Sequence, residues 1–201
     1  MTEAFSKLLG GGQESNLPLE TDARWRLVET AWELGVSPAL LAVSHDPATK
    51  QLFVDGSNRR KSITSARDAL SGYQKGHCFY CFGSFSLSEI DPPDVDHFFP
   101  HSLKARWRGG NLDGVWNLVL ACRRCNRWGK SACVPSIKLL EQLSKRNEFL
   151  IESHHPLRDT LIEQTGDNEE KRRAFLNESH KEAKASLIHE WEPPEAAERL
   201  F

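Results

Sequence analysis

The sequence lacks long apolar runs and a strong charge of either sign. No stretch of its 201 residues approaches the roughly 20 consecutive apolar residues of a membrane-spanning helix, so we expect no membrane span. The N-terminus has an acid near its start, a very short apolar run and no small-residue cleavage pattern. It therefore does not read as a signal peptide, and we expect a cytoplasmic protein. A formal net charge of −2 argues, taken alone, against a nucleic-acid binder.

The distribution of charge differs from its sum. Between residues 101 and 130 the chain carries many cations and a single acid, Asp113, whereas most acids lie nearer the two ends. A local excess of cations is typical of a surface that binds a phosphate backbone. The alternative is a solvated basic loop with no partner. The residues expected to contact nucleic acid are Lys104, Arg106, Arg108, Arg123, Arg127 and Lys130, and Arg124 belongs to the same basic run.

A disulfide framework is also not expected, because five cysteines in a cytosolic chain stay reduced. Their spacing instead predicts a metal site. Cys78 and Cys81 form one C-x-x-C pair, Cys122 and Cys125 form a second, and Cys133 is left over. Two such turns supply the four thiolates of a structural zinc site. The alternative is that they are ordinary buried residues; a redox role is disfavoured because both pairs would need explaining.

The apolar and turn pattern predicts an α+β fold. One amphipathic helix is expected from Thr21, another from Ser62 or Thr64 to about Tyr73, and three more beyond Pro135. The second Cys pair is expected to open a further helix. Residues 77–84 are predicted to form a turn or hairpin, and residues 94–99 and 115–121 two strands. The predicted regions are a helical N-terminal flank (1–75), a small ββα core with zinc knuckles (76–133) and a helical C-terminal flank (134–201).

Asp96 and His97 lie side by side in the first of these strands. Phosphodiester hydrolysis needs a hard divalent cation and a base that takes a proton from water. Asp is an oxygen ligand suited to Mg²⁺, and His titrates near the working pH. Asn126 follows Cys125 directly and offers a second, neutral oxygen. On an α-helix Lys130 would share a face with Asn126, so a metal ligand and a phosphate-seeking cation would point together.

These segments resemble a known family. C-F-Y-C, D-V-D-H-F-F-P and N-L-V-L-A-C-R-R-C-N-R-W-G-K look like the HNH endonucleases of the ββα-metal fold, in the branch with a structural zinc. The resemblance covers about residues 76–130. It implies that His97 is the general base, that Asp96 binds the catalytic cation, and that Asn117 braces the loop and orients His97. Asn126 matches the third letter, so the chain is an H-N-N variant similar to the HNH domain of CRISPR effector nucleases.

Several side chains keep two interpretations. Consecutive strand residues face opposite sides, so Asp96 and His97 reach one centre only if the strand twists or ends there. Asp94 shares the face of Asp96 and is either a supporting group or merely polar. His101 either contacts phosphate or is a bystander, and Asn117 alone would be a turn or capping residue. The tryptophans at 107, 116 and 128 either stack on bases or pack the core, with packing favoured for 116 and 128.

The expected function is a metal-dependent endonuclease that hydrolyses DNA, with structural Zn²⁺ and catalytic Mg²⁺ or Mn²⁺. An amide oxygen at Asn126 favours these hard cations. Because phosphate contacts carry no sequence information, cutting should be poorly specific. By family analogy a partner protein, such as an ATPase or sensor in an anti-phage or mobile-element system, would dock on the helical flanks. The alternatives are a non-catalytic zinc module that binds nucleic acid or protein, and an inactive relic.

Overall fold

The computed structural model describes residues 16–33, 43–55, 60–85, 92–130 and 133–193, and it has the predicted α+β architecture. The α-helices are α1 (Leu17–Glu33), α2 (Ala66–Gln74), α3 (Ile137–Glu152), α4 (Arg158–Thr165) and α5 (Glu169–Ser186). The strands are β1 (Val43–Asp46), β2 (Gln51–Asp55), β3 (Arg60–Ser65), β4 (Asp94–His97), β5 (Leu118–Ala121), β6 (Val134–Pro135) and β7 (Glu190–Trp191). Two short 3₁₀ turns (His101–Leu103 and Val115–Asn117) and one π-helix (Arg124–Lys130) complete the described elements.

The N-terminal flank contains a sheet as well as helices. Strands β1, β2 and β3 form an antiparallel sheet in sequence order. Helix α1 begins four residues before the predicted cap, and the Thr21 hydroxyl instead donates to the Leu17 carbonyl within the helix at 2.8 Å. Strand β3 holds Ser62 and Thr64, so neither caps α2.

The centre has the predicted order of strand, loop, strand and helix. Strands β4 and β5 pair antiparallel, with Asp94 opposite Ala121 and His97 opposite Leu118. The first Cys pair lies in a tight turn closed by a bridge between His77 and Ser84. The helix after the second Cys pair is a π-helix rather than an α-helix. Single π turns inside helical segments are rare and occur frequently at functional sites.

The C-terminal flank follows the prediction closely, except at its end. Helix α3 buries Leu139, Leu140, Leu143 and Leu150, which recur at helical spacing on one face. Gly166 ends α4. Trp191 lies in β7, a strand that was not predicted and that pairs in parallel with β6.

A single apolar core joins the three regions. Its largest fully buried side chains come mainly from the centre: Trp116, Tyr80, Phe79, Phe98 and Phe99. The same cluster includes residues from α1, β1, α3, α4 and α5. The centre is therefore packed against both flanks. Among the described helices, none is long and apolar enough to cross a bilayer.

Candidate metal centre and active site

The two Cys pairs meet in space. The sulfur atoms of Cys78, Cys81, Cys122 and Cys125 all lie within 4.8 Å of one another. Four sulfur donors at this separation can bind a single metal ion, as the spacing predicted. Cys133, outside the cluster, is a free and partly buried thiol. The turn before β4 and the end of β5 thus bring the two pairs together.

The surroundings of the cluster lower the pKa of two of its thiols, Cys81 and Cys122, and raise the pKa of the other two, Cys78 and Cys125. Contact with the Cys125 thiol holds the pKa of Cys81 well below its ordinary value, and contact with Cys78 lowers the pKa of Cys122 to about 6. The backbone N–H of Cys122 also points at the Cys78 sulfur at 3.4 Å. Thiolates are the form in which cysteine binds a metal ion, so the donor set fits one.

A second centre lies beside this cluster. An open depression of about 480 Å³ is lined by Asp96, His97 and Asn126, the residues that the sequence predicted to be catalytic. Its remaining lining residues are Pro100, His101, Ser102, Arg127 and Lys130. Asp96 and His97 reach the same depression because β4 ends at His97 and the chain bends through Phe98 and Phe99. The strand end thus answers the geometric objection that neighbouring residues face opposite sides.

His97 is held by a carboxylate that the sequence did not single out. Its Nε2 lies 3.1 Å from an oxygen of Asp113, whose other oxygen accepts a bond from Lys104 at 2.8 Å. An ionised carboxylate only accepts, so Nε2 carries the proton and Nδ1 is the basic nitrogen. Burial lowers the pKa of His97, and the negative charge of Asp113 offsets part of that effect. Burial alone would raise the pKa of Asp113, but the bond and the charge of Lys104, together with His97 and His101, outweigh it and the pKa is lowered.

Strand β1 fixes the loop that carries Asp113. The His45 N–H donates to the Asp113 carbonyl at 2.9 Å, and Ser44 forms a bridge with Gly114. The His45 ring lies 5.5 Å from the His97 ring, on a side chain that is 3% exposed. Neither of its ring nitrogens has a hydrogen-bond partner among the described residues. Burial, reinforced by His97, lowers the pKa of His45 to about 4, so this imidazole is neutral at pH 7.

Asp96 is bound by two donors from other elements. The Tyr80 hydroxyl donates to one of its oxygens at 2.7 Å, and the Lys130 ammonium lies 3.0 and 2.7 Å from the two oxygens. Burial, together with the charge of Asp96, raises the pKa of Tyr80 well above its ordinary value, which keeps the phenol protonated. Lys130 is 1% exposed. It therefore does not present its charge to a ligand in the way that the sequence predicted.

Asn126 is oriented by Asp94. The Asn126 amide nitrogen donates to the Asp94 carboxylate at 3.1 Å, and Arg127 donates to both oxygens of the same carboxylate at 3.0 and 3.1 Å. Because the amide nitrogen must face the carboxylate, the amide oxygen faces away from it. Asp94, left open between a supporting and a merely polar role, thus contacts a predicted metal ligand directly.

Asn117 joins the loop to the strand end. Its side-chain oxygen accepts from the Phe99 N–H at 2.8 Å, and its amide nitrogen lies 3.1 Å from the Phe99 carbonyl and 2.9 Å from that of Leu112. The residue is completely buried. These contacts tie the chain after His97 to the loop that precedes Val115. An isolated turn or capping residue would not make all three.

The predicted nucleic-acid-binding residues divide into exposed and buried members. Lys104, Arg106, Arg108, Arg123 and Arg127 are exposed, with Lys104 paired to Asp113 and Arg127 to Asp94. Lys130 departs from the prediction because its ammonium is buried against Asp96. Trp116 is buried as predicted, but packing was the wrong prediction for Trp128, which is 79% exposed on the π-helix. His101 is exposed and lies 3.6 Å from the Asp113 carboxylate.

Comparison with family models, curated proteins and solved structures finds no match to this chain.

Three residues of the site were not predicted from the sequence to be functional: Asp113, His45 and Tyr80. Asp113 is a lone acid in a basic loop, and the need to balance His97, His101 and Lys104 is the one signal that could have marked it. His45 comes from a strand more than 50 residues before His97, and the strand itself was not predicted. Tyr80 lies inside the first Cys pair, where only the cysteines were assigned a function.

Proposed function

We propose that this protein is a metal-dependent endonuclease of the HNH type that hydrolyses phosphodiester bonds in DNA. The observation that carries the proposal is the meeting of Asp96, His97 and Asn126 at one open depression beside the four-cysteine cluster. Sequence positions 96, 97 and 126 come from a strand and a later helix. A pure binding module would not require a base and two hard oxygen donors at the same place.

His97 acts as the general base. Its Nε2 proton is held by Asp113, so Nδ1 accepts the proton of the attacking water. Asn117 holds the chain directly after His97, and strand β1 holds the Asp113 loop. These contacts keep the ring in one orientation, which matters because misplacement of a reacting group by about 1 Å can cost about 100-fold in rate.

Two metal ions belong to the proposal. The four cysteines hold a structural Zn²⁺, for which tetrahedral sulfur donors are suited. Asp96 and Asn126 hold a catalytic Mg²⁺ or Mn²⁺, since both offer hard oxygens at the depression. A cation at that position would supply charge stabilisation to the scissile phosphate and the leaving oxygen.

DNA would approach over the exposed basic side chains. Arg127 lines the depression, and Lys104, Arg106, Arg108 and Arg123 are also at the surface. Contacts of this kind grip phosphates without reading bases, so we expect cleavage with little sequence preference and a strong dependence on salt. A partner protein that docks on a helical flank would restrict which DNA is cleaved, since the site itself has little sequence preference.

The test is cleavage of supercoiled plasmid with Mg²⁺ or Mn²⁺. We expect His97→Ala to lower the rate at least about 100-fold, because general-base catalysis typically contributes that much. Asn126→Ala should also be strongly impaired. Matched controls are His154→Ala and Asn177→Ala, which remove the same side chains from exposed positions on the C-terminal flank.

Equal nicking by the wild type, His97→Ala and Asn126→Ala would refute the enzyme. So would the absence of cleavage by the wild type with several metals and with its natural partner present. In the latter case, DNA binding that is weakened by charge-removing variants of Arg106 and Arg108 would favour a non-catalytic zinc module.

A further inference from the structure

The ammonium of Lys130 binds the carboxylate of Asp96, which the proposed function assigns to the catalytic cation. Its Nζ lies 2.7 and 3.0 Å from the two oxygens of Asp96 and 2.6 Å from the His97 carbonyl. An ammonium has three protons, and three acceptor oxygens surround this one. The side chain is 1% exposed, so solvent does not screen the ion pair.

Asp96 retains limited capacity for a further cation. A carboxylate oxygen can accept about two bonds. The oxygen shared by Tyr80 and Lys130 accepts two, whereas the other accepts one, from Lys130. A metal ion can therefore approach one lone pair of Asp96, but it would lie close to a buried positive charge. The metal ion and the Lys130 ammonium would repel each other strongly, because both are positive and water is excluded from the ion pair.

We propose that Lys130 keeps the affinity of the catalytic site for divalent cations low until a phosphate group of the substrate enters. This inference rests on the proposed function, since it concerns the same metal ligands. A phosphate in the depression brings negative charge that offsets Lys130, so phosphate and metal stabilise each other's binding. Such coupling is reciprocal: if DNA raises the metal affinity by some factor, the metal raises the DNA affinity equally.

Lys130 lies on the same short helix as Asn126. The π-helix Arg124–Lys130 carries Asn126 and Lys130 four residues apart, and both line the depression. Lys130 reaches inward to Asp96, while Asn126 is turned by Asp94. The metal ligand and the cation that opposes the metal thus come from one short element.

The experiment measures Mn²⁺ binding by electron paramagnetic resonance on the zinc-loaded protein without nucleic acid. The variant Lys130→Met removes the charge and keeps the length of the side chain. We expect it to bind Mn²⁺ at least tenfold more tightly than the wild type. In D96N/K130M this gain should disappear. Lys184→Met is the matched control, because it removes a lysine that pairs with Glu190 outside the depression, and its Mn²⁺ affinity should stay within about threefold of the wild type.

A second measurement does not depend on the folding of the Lys130 variants. In the His97→Ala protein, which keeps Lys130, a short DNA duplex should raise the Mn²⁺ affinity at least tenfold. Zinc content and near-ultraviolet circular dichroism identify any variant that has lost its fold, and for such a variant the duplex measurement decides.

The inference is overturned if the wild type and Lys130→Met bind Mn²⁺ equally, if the gain survives in D96N/K130M, or if the duplex leaves the affinity of His97→Ala unchanged. If one of these results is obtained and the wild type still cleaves plasmid, the proposed nuclease activity is retained and only the proposed role of Lys130 is refuted. If Mn²⁺ binds as expected but the wild type does not cleave plasmid, the nuclease activity is refuted. The effect of the Lys130–Asp96 ion pair on the metal affinity is then retained.

Discussion

The Asp113 carboxylate is surrounded by three basic side chains. It accepts bonds from Lys104 and from His97, and the His101 ring lies 3.6 Å away. One negative charge thus fixes the proton of His97 on Nε2 and offsets part of the local excess of cations. In a general base this orientation matters as much as basicity, because only Nδ1 then remains to take a proton.

Replacement of Asp113 by Asn should change both the rate and the pH profile of cleavage. In the proposed nuclease the base must be neutral, and the pKa of His97 lies below its ordinary value, so the rate of cleavage should fall as the pH falls through that pKa. The charge of Asp113 raises the pKa of His97, so its removal should move the acid limb to lower pH. We also expect the rate at pH 7.5 to fall at least about tenfold, because the proton is no longer held on Nε2.

The measurement is the pH dependence of kcat/KM for the wild type and Asp113→Asn. The control is Asp159→Asn, in an ion pair with Arg158 on α4, which should leave both rate and profile unchanged. An acid limb that stays in place or moves to higher pH would contradict the assigned role of Asp113.

At this scale the sequence predicted the residues with distinctive neighbours. Asp96, His97 and Asn126 stand in recognisable segments beside cysteines, and the structure brings them to one depression. Asp113 and His45 could not be found in this way, because their relation to His97 arises when β1 pairs with a loop far along the chain. Lys130 was misjudged because the sequence does not distinguish a lysine that reaches inward from one that reaches into solvent.

Among the elements, helix α3 supports the 3₁₀ turn that carries Asn117. The Arg146 guanidinium donates to the carbonyls of Val115, Trp116 and Leu118 and is 2% exposed. Burial lowers the pKa of Arg146 to about 9, and its hydrogen bonds to Val115, Trp116 and Leu118 all go to backbone carbonyls. Such an arrangement satisfies carbonyl groups that would otherwise be buried without a donor.

Replacement of Arg146 by Met should destabilise the protein by about 2–4 kcal/mol, since several buried carbonyls lose their donor. Urea denaturation followed by circular dichroism measures the change. Lys145→Met is the control on the same helix, and as an exposed substitution it should change stability by less than about 0.5 kcal/mol. A loss of under about 1 kcal/mol for Arg146→Met would mean that water or other donors replace the guanidinium.

Elements with a local sequence pattern were predicted best. Helix α3 was predicted correctly because its leucines recur at helical spacing, and the end of α2 was predicted correctly because Lys75 and Gly76 take positive φ values. Strands β1 and β3 lack such a pattern and exist through pairing with β2. The π-helix at Arg124–Lys130 was not predicted, because the local pattern of the sequence does not distinguish it from an α-helix.

For the whole molecule, the four-cysteine cluster connects the turn before β4 to the π-helix after β5. Strong chelation that removes the proposed zinc should therefore unfold the centre, with loss of near-ultraviolet circular dichroism, whereas withholding Mg²⁺ should leave fold and zinc content unchanged. Cys122→Ser should lose zinc and stability. Cys133→Ser is the matched control and should keep both, since Cys133 lies outside the cluster. A centre that keeps its fold after complete zinc removal would contradict the structural role.

Strand β1 and helix α3 both donate hydrogen bonds to the chain between residues 113 and 118. The segment that carries the proposed active site consequently depends on both flanks for its geometry, and gene rearrangement could not move it by itself. Residues 76–133 transferred into another protein would leave behind the backbone donor that fixes Asp113 and the guanidinium beneath Asn117. Any lineage that inherits this centre with its geometry intact must inherit both flanks, and substitutions at position 146, whose side chain holds the loop, should change together with those in the loop.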